Sequence, residues 1–189
     1  MAEIVLYHHV QGLTDGVRSL AEEFRGGGHT VHTPDLFDGR TFASLEDGMA
    51  FARETGFGAL GQRGIAAADA FGPNAVYAGI SFGVMPAQEL AQTRPGAAGA
   101  LFISACLPFT EFGEAWPGDV PVQVHGKDGD EFFAEEDLVA ARALVESTDD
   151  AELFLYGGDE HLFTDSSLPA YDAAATTLLV ERVLSFLEH

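Results

Sequence analysis

Short apolar runs alternate with longer segments of helical periodicity along the whole chain, and this alternation constrains the fold more than any other feature. Runs of four to eight apolar residues are typical of buried strands, whereas apolar residues recurring every three or four positions are typical of helices. Strands that alternate with helices predict a largely parallel sheet covered on both faces. The predicted strands are 4–8, 29–33, 74–79, 98–104, 120–125 and 152–156, and the predicted helices are 15–25, 58–71, 85–94, 134–146 and 171–187.

The remaining stretch, 37–55, contains Gly39 and Gly48 and is predicted to be a loop with one short helix. At 189 residues and 47% apolar composition, the chain can fill one sizeable core, so we predict a single domain spanning 1–189. The one cysteine, Cys106, cannot form an internal disulfide, which is typical of a reducing compartment. The N-terminal residues enter a predicted strand without a basic leader, so a cytoplasmic location is expected.

The net charge of −21, with Lys127 as the only lysine, limits the partners of this chain. A phosphate backbone or an anionic bilayer would be repelled. No apolar run approaches the roughly 18 residues that a membrane span needs. We therefore expect a small-molecule substrate, no nucleic acid, no membrane, and a monomer or a homodimer.

The segment Gly79-Ile80-Ser81-Phe82-Gly83 lies between a predicted strand and a predicted helix and matches the pattern G-x-S-x-G. This pattern places a serine on a sharp turn with its hydroxyl exposed above a sheet. Glycine on either side removes the β-carbons that such a turn would crowd. The alternative is a glycine-rich turn with no catalytic role, but the flanking strand and helix favour Ser81 as a nucleophile.

A serine nucleophile on such a turn is activated by a histidine base, which an acidic residue orients. In the chain the serine comes first, the Asp or Glu second and the histidine last. His161 lies in a loop between the last predicted strand and the last predicted helix, and is the predicted base. His125 ends the fifth predicted strand and is interpreted as a strand-end residue.

Two carboxylates compete for the role of the acid. A triad aspartate accepts a hydrogen bond from the imidazole and needs partial burial and a fixed position. Asp130 is followed by Phe132-Phe133, which can anchor its loop, whereas Asp128 lies between Lys127 and Gly129 as in an exposed turn. We favour Asp130 and keep Asp128 as the alternative.

Together these segments resemble the dienelactone hydrolase family of α/β-hydrolases over nearly the whole chain. The resemblance implies an α/β-hydrolase fold, with a mostly parallel central sheet and helices on both faces. The chain is short for this fold and has no obvious lid insertion, so we predict a short form without a lid domain. It implies a hydrolase, and its D-x-F pattern at the acid matches Asp130. Acyl transfer by a serine, a histidine and an aspartate needs no cofactor, so we expect none. The matching segments are Thr33-Pro34-Asp35-Leu36-Phe37, the Ser81 motif, Asp130-Glu131-Phe132-Phe133, Glu160-His161-Leu162-Phe163, and Glu181-Arg182-Val183-Leu184-Ser185-Phe186-Leu187.

The same resemblance implies an oxyanion hole and a pocket. One N–H donor is expected from Phe82, after the nucleophile, and the other from the loop after the first strand, where spacing indicates Val10, with Gln11 as the next candidate. His9 and Gln11 flank that donor and are predicted pocket residues. Adjacent histidines on a strand face opposite sides, so we predict no metal site at His8 and His9.

Three departures from the family pattern concern the substrate. Ser81 stands where true dienelactone hydrolases have cysteine, and His9 stands where they have a glutamate. Asp165 stands where they have an arginine that holds a substrate carboxylate. Exchanging that arginine for an aspartate replaces attraction by repulsion, which favours neutral substrates. Cys106 is either a further pocket residue or a small buried apolar residue.

The sequence as a whole predicts a serine hydrolase that cleaves small neutral carboxylic esters or lactones through a Ser81–His161–Asp130 acyl-enzyme mechanism. Two alternatives stay open. The chain could bind a ligand or partner without turnover, or it could transfer the acyl group to an acceptor other than water.

Overall fold

A computed structural model describes residues 1–188 and contains a central sheet of six strands. All five strand pairs are parallel, and the spatial order is β2-β1-β3-β4-β5-β6. The expected parallel sheet is therefore confirmed, with strand ends within about two residues of prediction. The strands are β1 Glu3–Tyr7, β2 Thr30–His32, β3 Ala75–Ile80, β4 Gly99–Ile103, β5 Val122–Lys127 and β6 Ala151–Tyr156.

Six helices connect and follow these strands, and side-chain caps begin three of them. Thr14, Ser44 and Asp172 each accept a backbone N–H of the first turn, which satisfies a donor that the helix itself leaves free. Within residues 1–188, no helix is long and apolar enough to cross a membrane. The helices are α1 Asp15–Gly26, α2 Leu45–Thr55, α3 Phe57–Ala68, α4 Val84–Thr93, α5 Glu136–Ser147 and α6 Ala173–Phe186.

Helix α2 is longer than the short helix predicted in 37–55, because Gly48 lies inside it rather than in a loop. Glycine weakens a helix, but here it allows another segment to approach. A β-carbon on Gly48 would lie 2.2 Å from the carbonyl oxygen of Val10. The glycine therefore packs α2 against the loop after β1.

The sheet separates two apolar cores, and alternate residues of each strand contribute to each. In β1, Val5 and Tyr7 join the core under α2, α3, α4 and α5, whereas Ile4 and Leu6 join the core under α1 and α6. Because both of their faces are buried, β1, β3 and β4 read as nearly continuous apolar runs instead of alternating ones. This is why the sequence pattern identified them.

The strand order reverses between β1 and β3, where the chain turns from one side of the sheet to the other. Open parallel sheets bind ligands at the carboxyl ends of the strands beside such a reversal. The loops after β1, β3, β5 and β6 all begin at this edge of the sheet. They contain Val10, Ser81, Asp130 and His161. In the described residues no lid domain is inserted over this edge.

Candidate active site

Ser81 directly follows β3 and starts a single 3₁₀ turn that leads into α4. Its φ of 51° lies in the left-handed region, which is uncommon for a residue with a β-carbon. A β-carbon on Gly79 would lie 2.2 Å from the Gly83 carbonyl oxygen, and one on Gly83 would lie 2.4 Å from the Tyr7 carbonyl oxygen. The two glycines are therefore required by backbone packing on both sides of the turn.

A chain of short hydrogen bonds joins Ser81, His161 and Asp130. Ser81 Oγ lies 2.7 Å from His161 Nε2, and His161 Nδ1 lies 2.6 Å from Asp130 Oδ2. The Asp130 side chain is 1% exposed, and its other oxygen accepts the Phe132 N–H at 2.9 Å. Because a carboxylate accepts, Nδ1 carries the imidazole proton and Nε2 is free to accept from the serine hydroxyl.

Asp128, the alternative acid, lies elsewhere in the same loop. Its side chain is exposed, and its Oδ1 accepts the Gly158 N–H at 3.3 Å. The Gly129 N–H donates to the Gly158 carbonyl at 2.9 Å. Asp128 thus links the loop after β5 to the loop after β6 and makes no hydrogen bond to the imidazole.

Lys127 holds the segment before His161 in place. Our sequence analysis considered this lysine only for its contribution to the net charge. Its side chain is 1% exposed, and its Nζ lies 2.5 Å from Glu160 Oε2 and 2.7 Å from Asp172 Oδ2. Burial alone would lower the pKa of Lys127, but the two carboxylates outweigh it and raise that pKa. The lysine therefore ties the residue before His161 to the start of α6.

Ser104 supports the same loop from β4 and was also missed. It adopts a φ of 59°, and its hydroxyl donates to the His161 carbonyl at 2.6 Å. The sequence could not predict this hydrogen bond, because the two residues are 57 positions apart and no local pattern links them.

A cavity of about 280 Å³ opens beside Ser81 and His161. A larger groove of about 1070 Å³ contains no residue of the hydrogen-bonded chain and is lined by the N-terminus, Glu152 and Arg182. We place the candidate site in the smaller cavity because it is lined by both Ser81 and His161. Its lining is mostly apolar and comprises Val10, Leu45, Met49, Phe57, Ser81, Phe82, Met85, Ser104, Ala105, Leu107, Phe132, Asp137 and His161.

Val10 and Phe82, the two predicted oxyanion donors, both line this cavity. The Val10 amide makes no hydrogen bond to any residue in 1–188. Its loop is held by its neighbours, since the Gly12 N–H donates to the His9 carbonyl at 3.0 Å and Gln11 Nε2 donates to the Phe42 carbonyl at 3.0 Å. Gln11 is buried by these contacts and lies outside the cavity lining, contrary to the pocket position we predicted for it.

His9 and Asp165, also predicted as pocket residues, instead form a buried cluster behind the site. His9 Nδ1 accepts the Gln11 N–H, so Nε2 donates to Asp165 Oδ2 at 2.7 Å, and both side chains are fully buried. Thr14 donates to Oδ2 at 2.5 Å, and Ser167 donates to Oδ1 through its N–H and its hydroxyl. Because every Asp165 oxygen is engaged, the expectation that it faces a substrate carboxylate is wrong.

The cluster makes the stability of the protein depend on acid pH. Burial alone would raise the pKa of Asp165, but hydrogen bonds from His9, Ser167 and Thr14 outweigh it and lower the pKa from 3.8 to about 2. A lowered carboxylate pKa stabilises the fold above pH 4, and the contribution is lost as the pH falls towards 2. Asp165→Asn should therefore lower the free energy of unfolding at pH 7 by about 2 kcal/mol.

Urea unfolding at pH 7 and pH 3 measures this effect. The difference between the wild-type protein and Asp165→Asn should shrink at pH 3, and the exposed Asp149→Asn should show no such difference. A difference that stays constant with pH would contradict the assignment of the acid dependence to Asp165.

Cys106 is fully buried and does not line the cavity. It packs as a small buried apolar residue, which was the alternative that we considered for it. Burial raises the pKa of its thiol to about 12, so the sulfur remains protonated and unreactive at neutral pH. Its amide N–H donates to Asp137 Oδ2 at 3.1 Å. The pocket position that we considered for Cys106 is therefore not observed.

Asp137 is the one carboxylate that lines the cavity, and our sequence analysis missed it. It lies half-buried in the first turn of α5, where acidic residues are common for helix stability alone, so its position carried no functional signal. Burial raises the pKa of Asp137 to about 6 against the opposing effect of the Cys106 N–H. Within residues 1–188, no three His, Cys, Asp or Glu side chains are grouped as metal ligands.

A parallel sheet with a serine on a glycine-flanked turn, and with His and Asp on the next loops of the same edge, defines an α/β-hydrolase. The chain belongs to the dienelactone hydrolase family, whose model matches residues 1–189, and it is a hydrolase acting on ester bonds. The family resemblance inferred from the sequence is thereby confirmed. No curated protein matches the sequence significantly.

Solved structures of low sequence identity share the fold. A dienelactone hydrolase-like promiscuous phosphotriesterase from metagenomic libraries is 20% identical with a TM-score of 0.73, over 100% of this chain and 86% of its own. Dienelactone hydrolase from Anabaena variabilis is 17% identical with a TM-score of 0.71, over 100% and 86%. Mouse alpha/beta hydrolase domain-containing protein 10 is 14% identical with a TM-score of 0.71, over 99% and 89%.

Proposed function

We propose that this protein hydrolyses small carboxylic esters or lactones, neutral rather than anionic, through an acyl-enzyme intermediate on Ser81. The observation that supports this most directly is the hydrogen-bonded chain from Ser81 Oγ through His161 to the buried Asp130, at the wall of a mostly apolar cavity. A serine hydroxyl is a weak nucleophile until an adjacent base can take its proton, and this arrangement supplies such a base.

In the first step, Ser81 Oγ attacks the carbonyl carbon while His161 Nε2 takes the hydroxyl proton. The carbonyl oxygen becomes an oxyanion, which we expect the amide N–H groups of Phe82 and Val10, two residues of the cavity wall, to bind. Asp130 holds the imidazole in the tautomer with Nδ1 protonated and stabilises the imidazolium. His161 then donates its proton to the leaving alkoxide, and the C–O bond breaks.

In the second step, His161 takes a proton from water, and the hydroxide attacks the acyl carbon. The tetrahedral intermediate collapses, the proton returns to Ser81 Oγ, and the carboxylic acid product leaves. Water is the only reactant of the second step besides the acyl-enzyme.

The size and lining of the cavity support the choice of substrate. About 280 Å³ is at the lower limit of small-molecule pockets, which favours short acyl and alcohol groups over long lipids. We still expect neutral substrates to be preferred over anionic ones, but we now attribute this preference to Asp137 instead of Asp165. A substrate carboxylate would meet the Asp137 carboxylate in a partly desolvated cavity, and like charges repel there.

Covalent labelling of the folded protein tests the proposed nucleophile. A fluorophosphonate should react stoichiometrically, and peptide mapping should place the adduct on Ser81, because its hydroxyl is paired with His161. The Ser81→Ala variant should not be labelled and should not release 4-nitrophenol from 4-nitrophenyl acetate or butyrate. Labelling at another residue, or none in folded protein, would refute the nucleophile.

Product analysis separates the remaining alternatives. Labelling without turnover of any short ester or lactone would favour a protein that binds without hydrolysis. Transfer of the acetyl group to added alcohols in preference to water would favour an acyltransferase that uses the same three residues.

A further inference from the structure

Asp137 is the only polar side chain of the cavity with an uncommitted atom. Ser81 and His161 bond to each other, and the Ser104 hydroxyl donates to the His161 carbonyl. Asp137 Oδ2 accepts the Cys106 N–H at 3.1 Å. Its Oδ1 makes no hydrogen bond within the described residues 1–188, and it is not among the side-chain atoms sealed from solvent without a partner. The carboxylate therefore keeps one unpaired oxygen that is not sealed from solvent, on a residue that lines the cavity.

No lysine or arginine of the described residues forms an ion pair with this carboxylate. Among residues 1–188, no lysine or arginine lies within salt-bridge distance of Asp137; Lys127, the only lysine, is bound by Glu160 and Asp172. The other side chains of the wall near Ser81 are apolar, with Met85, Leu107 and Phe132 among them. A charge in such surroundings forms stronger pairs than one in water, because the surrounding dielectric constant is lower.

We propose that Asp137 binds an ammonium group of the substrate, so that the preferred substrates of this site are small esters or lactones that carry a protonated amine. An ionised carboxylate only accepts hydrogen bonds, and an N–H of a protonated amine is the donor that gives it the strongest pair. Neutral esters fit the same cavity without this pair, and anionic ones are repelled. The net charge of −21 adds a long-range attraction for cations.

This inference rests on the proposed esterase function for its kinetic test. The probes are 2-(dimethylamino)ethyl acetate, which is protonated at pH 7, and 3-methylbutyl acetate, which has the same shape but no charge. We compare the ratio of their kcat/KM values in the wild-type protein with the ratio in Asp137→Asn. The ratio cancels changes in folding or catalysis that affect both esters alike.

The ratio of cationic to neutral kcat/KM should fall by about tenfold or more in Asp137→Asn, which is the low end of what a hydrogen bond to a charged group contributes. Glu136→Gln is the matched control, because it removes the same charge from the exposed neighbouring position of α5. That control should leave the ratio within about twofold. An unchanged ratio in Asp137→Asn, with both esters hydrolysed, would overturn the inference and leave the esterase function in place.

A binding measurement separates failure of the inference from failure of the esterase function. Protonated 2-(dimethylamino)ethanol and neutral 3-methylbutanol are titrated into the wild-type protein and Asp137→Asn, with the His161 ring resonances as the readout. If neither ester is hydrolysed, the proposed function fails, and selective binding of the amine that is lost in Asp137→Asn still supports the cation site. Equal binding of the amine by both proteins overturns it.

Discussion

Replacing Asp130 with asparagine is expected to lower kcat for ester hydrolysis by about 10⁴-fold, the loss that the equivalent change causes in a serine protease. Asp130 Oδ2 accepts the Nδ1 proton of His161 at 2.6 Å. An asparagine that presents its amide N–H there favours the opposite tautomer, with the proton on Nε2, where it blocks transfer from Ser81. The structure of the site should be retained, because the two side chains have nearly the same shape.

Asp128→Asn is the matched control, two positions earlier in the same loop. Its carboxylate is exposed and accepts only the Gly158 N–H, so steady-state kinetics with a short 4-nitrophenyl ester should change less than about threefold. Each variant is compared with the wild-type protein at one pH and at saturating ester. If Asp128→Asn gave the larger loss, Asp128 would be the acid and our assignment would be wrong.

Gly83→Ala is expected to cost about 3 kcal/mol of unfolding free energy, at the upper end of the range for overpacked sites. The added β-carbon would lie 2.4 Å from the Tyr7 carbonyl oxygen and 2.7 Å from that of His8. Both are backbone atoms at the end of β1, so neither can rotate away. The turn that holds Ser81 would have to move away from the loop that contains Val10, and ester hydrolysis should fall as well.

Gly58→Ala provides the comparison for this variant. Gly58 lies in the first turn of α3, and a β-carbon there would meet no atom within 4 Å. Alanine should be neutral or stabilise the helix by up to about 1 kcal/mol, because it loses less conformational entropy on folding. Urea unfolding measures both variants, and equal stability of the two would show that the turn does not need glycine at position 83.

The cluster of His9, Asp165, Thr14 and Ser167 changes the interpretation of the family departures. The sequence alone suggested that Asp165 had replaced a substrate-binding arginine and faced the pocket. In the structure, the cluster joins the loop with the candidate oxyanion donor Val10 to the segment that follows His161. The cluster holds two parts of the site together, and the carboxylate that lines the cavity is that of Asp137.

The sequence by itself determined the parallel sheet, its strand positions and the Ser81 turn. These features depend on local rules, since buried parallel strands need continuous apolar runs and the turn needs glycine at 79 and 83. The positions of Ser81, Asp130 and His161 could also be predicted. Each lies in a loop, and the place of that loop along the chain fixes which strand it follows. The length of α2 could not, because Gly48 serves a contact with the distant Val10 loop.

Only the tertiary structure decided which polar side chains face the cavity. His9 and Asp165 are 156 positions apart, and Lys127 and Asp172 are 45 apart, so no local pattern records that these pairs meet. Asp137 looks like any acidic residue in the first turn of a helix, and its exposure to the cavity depends on how the start of α5 packs beside Cys106. Backbone periodicity is set by neighbours in sequence, whereas the direction and partners of a polar side chain are set by packing between distant segments.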